Sequence, residues 1–140
     1  MSKVASTANS LGVNADQLTA QISTIIATTR QAPESVGTAL KTIYARINDI
    51  KTGADDAEIS LGKYSEKMAA LGFSVLDANG RLKDTGTTIE EIGNSWASLS
   101  REQQIYLAQT MAGTRQYNNL IALFDNWTKY SDMLNVSLEA

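Results

Sequence analysis

Gly113, Thr114 and Arg115, within Met111-Ala-Gly-Thr-Arg-Gln-Tyr117, are the residues best suited by type and spacing to grip an anion. A glycine followed by a helix start offers free backbone N–H groups, and an arginine two residues on could assist. No glycine-rich loop precedes them and no strand feeds them, so we favour a simpler role as a helix junction. There Gly113 ends one helix, Thr114 caps the next, and Arg115 reaches across to carbonyls or a carboxylate. Other fragments imitate catalytic motifs. Ser60-Leu-Gly-Lys63 fits the Ser-x-x-Lys of serine penicillin-binding enzymes, but the two companion motifs do not occur. Gly62-Lys63 resembles the end of a phosphate loop, except that Ala57 stands for its first glycine and Tyr64 for the Ser or Thr. Asp77-Ala-Asn-Gly-Arg81 suggests a calcium loop, yet Arg81 and Leu82 occupy a ligand position and the turn-glycine position. Asp55, Asp56 and Glu58 read as a solvated acidic loop. Glu90 and Glu91 are adjacent on a helix and point in different directions, so they suit a helix start better than a paired acid and base. An acid at Glu90, Glu91 or Glu102 would need a second carboxylate across a cleft, and nothing in the sequence assembles one. No catalytic, cofactor-binding or metal-ligating residue is assigned, and the chain is expected not to be an enzyme.

Composition narrows the field further. The chain has 140 residues, no cysteine and no histidine, which removes disulfides, thiol catalysis, Cys/His zinc sites and imidazole triads. Net charge is −3 with no Lys/Arg cluster, so no specific nucleic-acid binding is expected. The start, MSKVASTANS, lacks the apolar core of a signal peptide, and the longest apolar-leaning run, Ile22 to Ala27, is too short for a transmembrane segment.

The elements that must position these residues are helices. The fold class expected is mainly α, a multi-helix segment with one short β-hairpin around Asn79-Gly80. A first segment ends at Leu11-Gly12. Asn14 with Gln17 forms a capping box for a helix to about Arg30, carrying Leu18, Ile22 and Ile25 on one face. Pro33 and Glu34 then suit a first helical turn. Val36, Leu40, Ile43, Ile47 and Ile50 step by 4, 3, 4, 3, a narrow apolar seam for helix–helix contact. Residues 64–71 form a short helix stopped by Gly72. Phe73 to Lys83 alternates around Asn79-Gly80, the pattern of a hairpin that must lie against the helices. Thr87 or Thr88 caps a helix carrying Ile89, Ile92, Trp96 and Leu99. Ser100 with Gln103 caps another, broken at Gly113, and a last long helix carries Tyr117, Leu120, Ile121, Phe124, Trp127 and Leu134. Trp96 reads as core; Trp127 is balanced between core and a binding surface. The organisation expected is a helical segment at 1–50, an acidic loop or linker at 51–63, and a helical segment at 64–140 with the hairpin at 73–83, or else one continuous domain.

Several of these blocks carry a family resemblance. Val36-Gly-Thr-Ala-Leu-Lys-Thr-Ile43 followed by Arg46, Leu71-Gly72 before the hairpin, Trp96 and Leu99 ahead of Gln103-Gln104, and above all Ala112-Gly-Thr-Arg-Gln116 followed by Leu123 resemble the core region of phage tail tape measure proteins. Leu11-Gly-Val-Asn-Ala-Asp-Gln-Leu18 and Ala27-Thr-Thr-Arg30 are similar to the same family, so the resemblance runs over roughly residues 5 to 128. It implies a structural component of a phage or prophage tail that occupies the tube lumen and sets tail length by helix–helix contact. It implies self-association with other copies, tail tube proteins and tail assembly chaperones as partners, and location in the virion tail after assembly in the host cytoplasm. It brings no catalytic residues and no cofactor. Even as one helix, 140 residues reach only about 210 Å, so the segment is expected to be a block or remnant of a longer ruler. The alternative is a helical protein-interaction module with no phage role.

Overall fold

Short-range capping sets where the helices of this chain begin. A computed structural model describes residues 12–54, 57 and 59–139, with side chains described to 135. Six α-helices are present among them: α1 (Ala15–Thr29), α2 (Pro33–Thr52), α3 (Leu61–Ala70), α4 (Thr85–Ser95), α5 (Arg101–Asp125) and α6 (Trp127–Glu139), with a 3₁₀ turn at Trp96–Ser98 between α4 and α5. Asn14 and Gln17 close their capping box at α1, and Ser100 and Gln103 close theirs at α5. Pro33 opens α2, and Gly53, at φ 73°, ends it in the left-handed conformation. Leu11 and residues 55, 56 and 58, which include the acidic-loop candidates Asp55, Asp56 and Glu58, lie outside the described residues.

Three expected boundaries move. α3 starts at Leu61 rather than Tyr64, because Ser60 takes the N-cap. α4 starts at Thr85, not after Thr87 or Thr88, because Asp84 takes the N-cap and its carboxylate accepts from the Thr87 N–H at 2.7 Å. The expected last long helix is two: after the Gly113 kink, α5 stops at Asp125, and Asn126 (φ −114°, ψ 33°) separates it from α6. No glycine or proline marks that second break.

The expected β-hairpin is also corrected. The chain does reverse at Asp77–Gly80, where the Asp77 carboxylate accepts from the N–H groups of Asn79 and Arg81. Only Gly80 takes a positive φ there, not Asn79. Among the described residues no strand forms: a single antiparallel bridge joins Leu76 and Leu82. Beyond that bridge the Lys83 carbonyl accepts from the Lys51 ammonium, and Asp84 turns the chain into α4 as its N-cap. Leu76 and Leu82 remain 44% and 40% exposed, so no apolar face extends the pairing.

One hydrophobic core draws on the chain from Val13 to Tyr130. α2 packs against α5, α1, α3 and α4; α1 also packs on α5 and broadly on α6. Two glycines permit close approach. A Cβ on Gly86 would lie 2.1 Å from the Gly12 carbonyl oxygen, so the chain entering α1 touches the start of α4. A Cβ on Gly93 would lie 2.2 to 2.4 Å from the Trp127 ring, so the indole rests on bare α4 backbone. Trp127 continues an aromatic run from Trp96 through Phe124 to Tyr130, with centroid separations of 4.8, 5.7 and 4.4 Å. Trp96 is buried and Trp127 half-buried.

Gly93→Ala is expected to destabilise the chain by at least about 1 kcal/mol in urea unfolding. The gain in helix propensity, about 1 kcal/mol, is smaller than displacing the indole and losing its 2.9 Å bond to Asn94. Buried titrating groups also fix the pH profile. Burial lowers the Lys51 pKa from 10.5 to about 8, Asp84 opposing and Lys83 reinforcing the shift. From about pH 8 upward the folded chain sheds that proton before the unfolded chain does, so stability rises with pH. Burial raises Tyr44, Tyr64 and Tyr130 above the ordinary 10.0, Tyr64 to about 12. Above about pH 10 the unfolded chain loses phenolic protons that the folded chain keeps, and stability falls. Denaturant titrations across this range are expected to show a maximum at about pH 10, with the rising limb abolished in Lys51→Met.

Candidate functional site

The two groups of residues singled out by pattern, the α2 seam and the Gly113 junction, lie on adjoining elements. Val36, Leu40, Ile43, Ile47 and Ile50 are all fully buried. Their contacts are helix–helix contacts, but with helices of the same chain. Tyr44 and Ala39 widen the strip, so the apolar face of α2 is turned inward along its length, and the face left outside carries Thr38, Lys41, Thr42 and Ala45. Each such side chain contributes roughly 1.5–3 kcal/mol by leaving water.

At the junction, Gly113 sits at φ 79°, ψ 170°, a conformation that favours glycine, and kinks α5 there. Thr114 and Arg115 are exposed. The Arg115 side chain forms no hydrogen bond or ion pair with any described residue. The arginine that reaches the junction is Arg46 of α2: its guanidinium lies 3.6 Å from where a Gly113 Cβ would be, and its Nη2 donates to the Thr110 carbonyl at 3.2 Å. The Thr110 carbonyl, three residues before the kink, is thereby met from the neighbouring helix. Below the kink, Gln31 donates to Asn119 at 2.7 Å and Asn119 to Gln116 at 3.0 Å, tying the α1–α2 connection to the second half of α5. An open cleft of about 600 Å³ lies between Thr42 and Arg46 on one side and residues 112–116 on the other. Among the described residues its walls carry hydroxyl, amide and guanidinium groups and no carboxylate. Arg46 stands between the seam residues Ile43 and Ile47, and nothing local in the sequence signals that it serves this junction.

The fragments that imitate motifs have local explanations. The Ser60 hydroxyl accepts from the Lys63 N–H at 3.2 Å, so Ser-x-x-Lys is here an N-cap. Glu90 accepts from Tyr130 at 2.7 Å and from Gln17 at 3.0 Å, while Glu91 pairs with Lys83 at 2.7 Å. Glu102 is exposed in the first turn of α5. These three glutamates therefore occupy separate settings. Beside Glu90 runs a buried polar chain in which the Tyr44 hydroxyl donates to Gln21 and the Tyr130 hydroxyl also meets Gln21. Both phenols are held protonated by burial, Tyr130 further by its bond to Glu90. Among the described residues no three acidic side chains gather closely enough to hold a metal ion.

Leu40→Ala separates an internal seam from an external one. An internal position is expected to lose about 2–5 kcal/mol of stability in the isolated chain, read by urea unfolding at low concentration. An unchanged midpoint would place Leu40 outside the core.

No solved structure matches the chain. A family model described as phage-related minor tail protein matches residues 1–113, taking in the α2 seam and reaching the Gly113 kink. Since that match spans most of the 140 residues, the chain belongs to the phage-related minor tail protein family.

Proposed function

We propose that this chain is a folded block of a phage tape measure protein, positioned in the lumen of the tail tube during assembly and acting by contact rather than by catalysis. The observation that supports it most is the family match over residues 1–113. It includes the Val36–Ile43 block with Arg46 and reaches the first two residues of the Ala112–Gln116 block, both part of the tape measure resemblance. A structural role in a phage tail follows from family membership; the tube lumen and the ruler are the finer claims proposed here.

The geometry limits what such a block could do. Its longest helix, α5, has 25 residues and is kinked at Gly113, a reach of about 37 Å. A folded unit of this size would not measure a tail itself. It would sit within a longer ruler chain, meeting tube subunits, assembly chaperones or other copies through the surfaces left outside its core. No helix among the described residues is long and apolar enough to cross a membrane.

Chemical cross-linking of intact tails followed by peptide mass spectrometry tests this. Lys41, Lys63 and Lys129 are exposed and are expected to cross-link to tube subunits on their inner face. Cross-links confined to baseplate or fibre proteins would overturn the lumen assignment.

A further inference from the structure

We propose that α6 is an exchangeable element: the surface of α1 and α4 that receives it within one chain also receives α6 from a second copy, giving a dimer by helix exchange. This deepens the self-association included in the proposed function and names the surface that carries it.

The connection to α6 is short and locally weak. Asn126 alone separates the two helices, and residues 114–139 contain neither glycine nor proline. That stretch could run as one helix of about 39 Å. The bend is held locally by the Asn126 side chain, whose Nδ2 donates to the Ala122 carbonyl at 2.8 Å.

The anchors of α6, in contrast, are on elements that precede the hinge. Trp127 rests on Gly93 and donates to Asn94 at 2.9 Å. Tyr130 donates to Glu90 at 2.7 Å, and Met133 Sδ lies 3.7 Å from the Thr24 hydroxyl. α6 packs far more extensively on α1 than on α5. The aromatic contact that crosses the hinge, Phe124 with Trp127, is three residues apart in sequence and stays adjacent on a straight helix. Straightening at Asn126 therefore carries α6 away whole and uncovers the face of α1 that bears the buried polar groups of Gln21 and Thr24. An identical α6 restores every anchor, and the exchanged pair gives up only the bonds of the bend itself.

The chain has no cysteine, so an engineered pair reports unambiguously. Thr24→Cys with Met133→Cys bridges α1 to α6, within one chain in the closed form and between chains in the exchanged one. The full chain is refolded from denaturant at increasing concentration, oxidised, and examined by non-reducing gel and light scattering. Interchain disulfides are expected, in a share that rises with concentration. Asn126→Leu, which removes the bend's side-chain bond and favours continuous helix, is expected to raise the dimerisation constant roughly tenfold. Dimers holding only intrachain disulfides overturn the exchange and leave self-association by another surface. Monomers throughout, Asn126→Leu included, overturn both. Light scattering of Asn126→Leu without the cysteines gives an independent readout: a dimer share no greater than the parent's also overturns the exchange.

Discussion

The burial of the apolar face of α2 is the constraint from which the rest of this structure follows. Val36, Leu40, Ile43, Tyr44, Ile47 and Ile50 are closed off from water by helices on several sides, while Thr38, Lys41 and Ala45 on the opposite face stay exposed. A face so covered dictates where its neighbours run. α5 must pass along it on one side and α1 on another, and α3 and α4 cover the rest of that face. The Gly113 kink fits the same demand. It changes the course of α5 beside Arg46, so that the segments before and after it both deliver apolar residues, Leu107 and Met111 from one and Leu120 and Leu123 from the other, to the common interior.

Much of this was legible in the sequence because it is short-ranged. A capping box is decided within four residues, so Asn14 with Gln17 and Ser100 with Gln103 could be read directly, as could Pro33 at the first turn of α2. The 4-3-4-3 spacing identified the buried face of α2. Spacing does not say what covers such a face, and a strip fit for a neighbouring molecule is equally fit for a helix further along its own chain. Where several candidates stood together, local rules were ambiguous: Asp84, Thr87 and Thr88 can all cap a helix, and the one nearest Gly12 does so.

The long-range features were not legible. Asn79-Gly80 does mark a reversal, but among the described residues a single bridge forms beside it, and the chain beyond is engaged by Lys51, 32 residues away, at the Lys83 carbonyl. Arg46 rather than Arg115 serves the α5 kink because of how α2 lies against α5, a relation no window of sequence contains. The end of α5 at Asn126 has no breaker residue at all. It is set by what Trp127 and Tyr130 find on α4.

Recognition of the family stops at residue 113, yet the interior does not. Leu120, Leu123, Phe124 and Tyr130 lie past that limit and are as deeply enclosed as anything before it. The portion by which kinship is detected is thus smaller than the portion that makes a closed body. A tail gene that kept only the recognisable stretch would leave one flank of α1 bare to solvent, and any segment grafted in its place would have to supply the missing wall.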